Sequence, residues 1–439
     1  MNFEEAVGYL YSLGHETLAM KLGLETISVL AAACGQPQHK FPAIHLAGTN
    51  GKGSTAAMTD AILRAAGYRS GLYTSPHLVA ITERIRVNGV EISPDDFARL
   101  ATAVRAACER LVAEGALEAP ATYFEQVTMI AFLYFAEREV DAAVLEVGMG
   151  GRFDATNICR PIVTAIMPIG YDHQEHLGNT LAQIAGEKAG IIKAGVPVVV
   201  APQEKEAMQA IANRAAELHA RIVPVEESLS CANIEIGGEG RYRLQLRTPC
   251  AEFDALLSLP GRHQVENALT AIIIAEQLVK GGWKISSRAV NEGLSNTRWP
   301  GRLEIIQVSH ATFLLDGAHN AAGARVLRDY LTEHCSSRPL TLIFAVMADK
   351  AIDEMAELLF PLAQNIIVTK VRSPRAADPL KLREVAAKWN ENVNYAEDAD
   401  QAIAAALKLT PPNGVTCACG SLFLVGEIRE NLRRRFAGV

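Results

Sequence analysis

Apolar positions along this 439-residue chain fall into runs of two lengths. Short, mostly apolar runs occupy 43–47, 142–147, 163–167 and 197–201, and between them lie longer stretches with helical periodicity, among them 55–66, 95–114 and 123–138. Mostly apolar strands alternating with helices predict a mainly parallel sheet, since such strands are covered on both faces and each parallel crossover needs a helix. Residues 230–258 alternate instead. Their Ile-Glu-Ile-Gly-Gly-Glu-Gly-Arg-Tyr-Arg-Leu-Gln-Leu reads as a hairpin with one solvated face, expected to add an antiparallel edge. The breakers in Ser-Asn-Thr-Arg-Trp-Pro-Gly, 295–301, separate a helix from a new strand. A second α/β unit follows, with strands expected at 312–315, 340–346, 365–369 and 415–418. The expected division is therefore 1–297 and 298–439.

Composition narrows the function. With 49% hydrophobic and 21% charged residues the chain can bury large cores, and a net charge of -7 argues against a nucleic-acid partner, which would need a basic face. Eight dispersed cysteines with no C-x-x-C pair suggest neither disulfides nor a zinc cage. The acidic start Met-Asn-Phe-Glu-Glu is unlike a basic signal peptide, and no apolar run approaches the roughly 20 residues of a membrane span. A cytoplasmic protein without membrane or nucleic-acid partners is expected.

The chemistry begins at Ala-Ile-His-Leu-Ala-Gly-Thr-Asn-Gly-Lys-Gly-Ser-Thr, 43–55, which runs from a strand into a helix. Gly48, Thr49, Asn50, Gly51, Lys52, Gly53 and Ser54 form a loop whose small residues let backbone N–H groups converge on phosphate oxygens, with Lys52 to neutralise the β and γ phosphates. It departs from the generic phosphate loop, which wants glycine where Leu46 sits and a hydroxyl where Gly53 sits. Ser54 fits an N-cap role as well as a metal role. At 144–157, Val-Leu-Glu-Val-Gly-Met-Gly-Gly-Arg-Phe-Asp-Ala-Thr-Asn, Glu146 ends an apolar strand, where a buried carboxylate needs a cation or donors, and the glycines beyond it allow a ligand to approach. Magnesium would meet that need; a salt bridge would also.

Gly-Thr-Asn-Gly-Lys-Gly-Ser resembles the signature of the folylpolyglutamate and dihydrofolate synthases, relatives of the Mur ligases, in which threonine usually follows the lysine. The resemblance extends along nearly the whole chain. It implies an α/β fold with a P-loop NTPase-like N-terminal domain and a smaller Rossmann-like C-terminal domain. For the metal it implies Ser75, from Tyr-Thr-Ser-Pro-His-Leu, and His173, from Ile-Gly-Tyr-Asp-His-Gln-Glu-His, beside Glu146; Asp172 would orient the imidazole. The segment Ile-Ala-Gly-Glu-Lys-Ala-Gly-Ile-Ile-Lys is similar to the one whose lysine is carboxylated, which points to Lys188, although the residues alone favour a helical ion pair there. Asn267, in Gly-Arg-His-Gln-Val-Glu-Asn, matches an adenine contact, and Arg302, in Trp-Pro-Gly-Arg-Leu-Glu, lies at the joint where a guanidinium can clamp phosphates. In Leu-Leu-Asp-Gly-Ala-His-Asn, Asp316 resembles a nucleotide contact and His319 a residue near the reacting groups; Asp349-Lys350 and Gly420-Ser421 resemble further family loops, with Ser421 near the incoming glutamate. Thr-Tyr-Phe-Glu-Gln-Val-Thr, 122–128, resembles the wall of a pterin pocket, with Phe124 for ring contact and Glu125 for a polar edge, while Thr122 and Glu125 also spell a capping box. Arg152 and Asp154 are additional expected contacts.

The implied reaction is ATP-dependent addition of L-glutamate to a reduced folate or to dihydropteroate through an acyl phosphate, by a monomer. Two rivals remain: another Mur-type acid–amino-acid ligase, whose nucleotide-sugar substrate would call for more than about 40 residues ahead of the loop, and a phosphate-loop ATPase acting as a switch.

Overall fold

The computed structural model describes residues 1–14, 23–308 and 311–436. Eight strands build the first sheet: β1 (Ala43–Ala47), β2 (Ser70–Tyr73), β3 (Ile85–Val87), β4 (Val90–Glu91), β5 (Ala142–Glu146), β6 (Pro161–Ile166), β7 (Val198–Val200) and β8 (Ile222–Pro224). Their order is β4-β3-β2-β5-β1-β6-β7-β8, parallel except where β3 meets β2 and β4 meets β3. Every residue of β1 and β5 is buried, His45 and Glu146 included, because both faces of these central strands are covered. One face packs against helices Pro94–Ala113 and Tyr123–Glu137 together with the N-terminal helices, the other against Lys52–Ala65 and His263–Lys280. Thr122 and Glu125 do form the capping box that starts Tyr123–Glu137.

The alternating segment near 230–258 does not edge this sheet. It forms a separate antiparallel sheet of three strands, β9 (Cys231–Ile236), β10 (Tyr242–Arg247) and β11 (Glu252–Leu256). Its inward row of Tyr242, Leu244, Leu246, Phe253 and Ala255 packs over Met58 and Ile62 and the helices His263–Lys280 and Ser287–Asn296. An amphipathic ribbon can satisfy one apolar face on any helix layer, so alternation alone does not say which partner it takes. The antiparallel edge comes instead from β3 and β4, which are too short to stand out by periodicity.

The second unit has six strands, β12 (Glu304–Val308), β13 (Ala311–Leu315), β14 (Leu340–Phe344), β15 (Asn365–Val368), β16 (Val393–Tyr395) and β17 (Val415–Cys419), ordered β12-β13-β17-β14-β15-β16. Only β12 is antiparallel to its neighbour. Helices Ala321–Cys335, Ile352–Leu359 and Pro379–Ala387 cover one face, Ala399–Leu409 and Leu422–Arg435 the other. Among the described residues, no helix is long and apolar enough to cross a membrane.

Candidate active site

In the first sheet the connection from β1 runs to β2 on one side and that from its neighbour β6 runs to β7 on the other, so a crevice is left at the carboxyl ends of these two strands. The phosphate loop leaves β1 into that crevice. Gly48 has φ +147°, and a Cβ on it would stand 2.5 Å from the Cβ of Met167, so only glycine lets the loop lie against the end of β6. Thr49 is pinned there as well: its amide donates to the Pro168 carbonyl at 3.0 Å and its hydroxyl to that of Gly170 at 3.1 Å. Lys52 opens the following helix and donates to the Gly48 and Thr49 carbonyls at 3.0 and 3.1 Å, which holds its ammonium over the loop.

The N-cap of that helix is Gly51, in a left-handed conformation at φ +86°, which removes the capping role considered for Ser54. Ser54 is buried and accepts from Gln264 Nε2 at 3.3 Å. Gln264 in turn accepts from Asn267 Nδ2 at 2.9 Å, and the Asn267 side chain occupies the space a Cβ on Gly51 would need. A helix distant in sequence thereby backs the phosphate loop.

Register places Glu146 opposite Leu46, beside the start of the loop. The carboxylate is buried and accepts from the Ser75 amide at 3.2 Å, and a Cβ on Gly53 would lie 3.4 Å from its Oε2. Burial raises its pKa, with the Lys52 charge foremost among the opposing influences. No three His, Cys, Asp or Glu side chains cluster as a ready cation cage among the described residues. Magnesium does not require one: it binds through one or two carboxylates, waters and substrate phosphates. A single buried carboxylate with a serine beside it, facing a phosphate loop, fits that pattern.

His173 caps a short helix with φ +51°. Its ring pKa falls to about 4, chiefly from burial and further from the charges of Lys350, Lys52 and Lys188, so it is neutral at pH 7 with a lone pair to offer. Asp172 does not orient that ring by a hydrogen bond, as Nε2 and Oδ1 stand 3.9 Å apart. It reaches across the joint instead, accepting from Lys350 Nζ at 2.8 Å and Asn320 Nδ2 at 3.1 Å, with His319 Nε2 at 3.8 Å. Burial opposes its ionisation, yet the positive charges of His173, Lys350 and His319 and the Lys350 hydrogen bond hold its pKa well below the ordinary carboxylate range. Asn320 also donates to Asn50 Oδ1 at 3.2 Å, tying the second unit to the phosphate loop.

Lys188 is buried and donates to the Gly48 carbonyl at 2.9 Å. The helical ion pair expected from the residues alone does not form; the neighbouring Glu187 faces Arg152 at 3.5 Å. Burial first, then the Lys52 charge, lowers the Lys188 pKa to about 7. At the joint, Asp316 accepts from the amides of Leu303 and Ala318, both at 2.9 Å, with Arg302 supplying positive charge nearby. His319 donates from Nδ1 to the Gly317 carbonyl at 2.8 Å, leaving Nε2 as the free ring nitrogen of a neutral imidazole.

Both units wall a cavity of about 260 Å³: Phe124, Asp154 and His173 from the first, His319, Lys350 and Ser421 from the second. Ser421 caps helix Leu422–Arg435, accepting from Phe423 N at 3.2 Å. Glu125 reaches the cavity, but its carboxylate accepts from both the amide and the hydroxyl of Thr122 at 2.8 Å, so capping and lining coexist. Asp154 is held by Met149 N and Thr156 N, each at 3.0 Å, and by the Thr156 hydroxyl, which also meets buried His45 at 2.8 Å. Arg152 turns away from the cavity into a separate groove. Lys52, Asn267, Arg302 and Asp316 lie outside the cavity lining as well. Two residues of the site, Lys350 and Asn320, have no role that the sequence alone assigns; the helix-capping position of Asn320, before Ala321–Cys335, is the visible signal.

Comparison with known proteins gives a consistent result. Residues 46–275 match the Mur ligase middle domain and 301–422 the Mur ligase, glutamate ligase domain. The chain is 36% identical to a dihydrofolate synthase/folylpolyglutamate synthase of Bacillus subtilis, over 98% of this chain and 99% of that one. Among solved structures, Mycobacterium tuberculosis folylpolyglutamate synthase complexed with ADP superposes with a TM-score of 0.90 at 32% identity, covering 98% of each chain. The E. coli FolC structure in complex with DHPP and ADP has a TM-score of 0.86 at 29% identity, covering 99% of this chain and 98% of that one.

Proposed function

The chain belongs to the folylpolyglutamate synthase and dihydrofolate synthase family, and from that premise we propose that it joins L-glutamate to the carboxylate of a reduced folate and of dihydropteroate, using ATP. It is an ATP-dependent carbon–nitrogen ligase. The observation that carries the substrate reading is the cavity shared by both units, lined by the Phe124 ring and the buried carboxylate of Asp154 from the first and by His319, Lys350 and Ser421 from the second.

In the proposed reaction a substrate carboxylate oxygen attacks the γ-phosphorus of ATP, ADP departs, and the resulting acyl phosphate is attacked by the glutamate amine with loss of phosphate. Two anions meet in the first step, so Lys52 is assigned to offset their repulsion and to stabilise the charge that develops. Gly48, Thr49, Asn50, Gly51, Gly53 and Ser54 cradle phosphates, while Asn267, Arg302 and Asp316 complete the nucleotide side. Glu146, Ser75 and neutral His173 would hold magnesium, which supplies further neutralisation of the phosphates when bound. His319 is a neutral base on the second unit, able to take the proton that the amine loses. Phe124, Glu125 and Asp154 are assigned to the pterin and Ser421 to glutamate; Arg152 faces away from both. The acyl phosphate must be kept from water, which is the purpose of the bridge from Asp172 to Asn320 and Lys350.

We further propose the division into 1–297 and 298–439, a carboxylated Lys188, a monomeric state and a cytoplasmic location. The test of function supplies purified protein with ATP, magnesium, glutamate and either dihydropteroate or tetrahydrofolate. Phosphate release should need both glutamate and a pterin; release with neither pterin acting as acceptor sinks the reading, and hydrolysis that ignores glutamate favours an ATPase switch.

A further inference from the structure

Phe153, 43% exposed, stands between the cavity and an open groove of about 380 Å³ and lines both. Three cations, Arg152, Lys193 and Arg214, line that groove. Lys193 donates to the Asn157 carbonyl at 3.0 Å, and its pKa is lowered first by burial and in part by the positive charge of Arg214, so these cations crowd one another. Arg214 meets Glu217 through Nη1 at 2.9 Å, but its Nε is buried with no acceptor among the described residues. The acids nearby are Glu25 on the groove wall, Glu187 facing Arg152 at 3.5 Å and Glu217 on Arg214 at 2.9 Å; the lining itself carries three cations and one carboxylate, with both arginines ion-paired to acids outside it.

We propose that this groove is a subsite for an anionic tail, the α-carboxylates of a folate that already carries several γ-linked glutamates. The inference rests on the ligase reading above. Each turnover adds a residue, and a carboxylate, to a molecule whose pterin lies by Phe124 and Asp154 and whose terminal carboxylate must reach Lys52. The protein fixes the distance between those two points. A cavity of about 260 Å³ lies below the usual range of ligand pockets, about 300–1,000 Å³, so added residues must leave it. Half-exposed Phe153 is shared by the cavity and the groove, and on its groove side lie cations suited to carboxylates, with Arg152 and Arg214 carrying planar donors.

The experiment compares tetrahydrofolate mono- and triglutamate as substrates of the intact chain and of Arg214→Gln and Lys193→Gln. Each substitution should raise KM for the triglutamate about three- to tenfold, the size of one solvent-screened charge-assisted contact, and leave the monoglutamate KM and kcat unchanged. The triglutamate advantage of the unaltered chain should also shrink as salt rises. Unchanged monoglutamate turnover shows that each variant is folded. Equal effects on both substrates, or none on the triglutamate in either variant, overturn the groove assignment while leaving the ligase reading intact. Failure of the unaltered chain to use either substrate overturns both.

Discussion

Lys188 is the residue whose environment makes the sharpest chemical demand. At pH 8 an amine of pKa about 7 is about 90% neutral, whereas an ordinary lysine at 10.5 is about 0.3% neutral, so burial enriches the nucleophilic form about 300-fold. A neutral amine adds to the carbon of carbon dioxide: the N–C bond forms, a proton is released, and a cation becomes a carbamate anion. That anion would relieve the repulsion between Lys188 and Lys52. The enzyme should therefore lose activity in buffer stripped of carbon dioxide and recover it with bicarbonate, and ¹³C-bicarbonate should produce a carbamate resonance that Lys188→Met lacks. The same burial sets a stability signature. Without bicarbonate the unfolded chain binds a proton at this lysine below pH 10.5 and the folded chain only below about 7, so between those values the unfolded state holds more protons. Stability must then rise with pH across that window, by at most on the order of 5 kcal/mol, and Lys188→Met should flatten the rise. Full activity without carbon dioxide, together with no labelled carbamate, would refute the reasoning.

Other perturbations probe the rest of the site. Lys52→Ala should abolish phosphate release while leaving the circular dichroism spectrum unchanged. Lys350→Met leaves Asp172, only 10% exposed, without its cation; closure should weaken by about 2–4 kcal/mol and kcat fall at least tenfold, with Asp172→Asn restoring part of the loss in a double-mutant cycle. Gly148→Ala puts a Cβ 2.5 Å from Phe124 Cζ, so KM for the pterin substrate should rise about tenfold while KM for ATP holds, and an unchanged pterin KM would remove Phe124 from that pocket. Thr156→Val deletes the hydroxyl between His45 and Asp154 and should cost about 1–3 kcal/mol in denaturant unfolding, since buried polar partners are left unmet.

Elements long enough to show a full period are legible in the sequence. The strands at 43–47, 142–147 and 415–418 stand out because burial on both faces leaves a mostly apolar run, and glycines 48, 51 and 53 mark the strand-to-helix loop, where Gly48 and Gly51 leave room for Met167 and Asn267. The pair β3–β4 is too short for periodicity, and β9–β11 show their alternation but not their neighbours. Glu146 is visible as a carboxylate closing an apolar strand. For Asp172, adjacency in sequence suggests His173 as the partner, whereas the backbone turns the carboxylate toward Lys350, 178 positions later.

Local order, then, is written in the chain by itself: which segments become strands, where a phosphate loop sits, and which helices are capped, as Thr122 and Glu125 show. Those properties depend on neighbours within a few residues. What the tertiary structure decided depends on groups far apart in sequence: the cavity between the two units, the low pKa of Lys188, the turning of Arg152 out to the groove, and the bridge from Asn50 through Asn320 to Asp172. Burial and electrostatic neighbours exist only once the sheets have packed, and no local pattern encodes them.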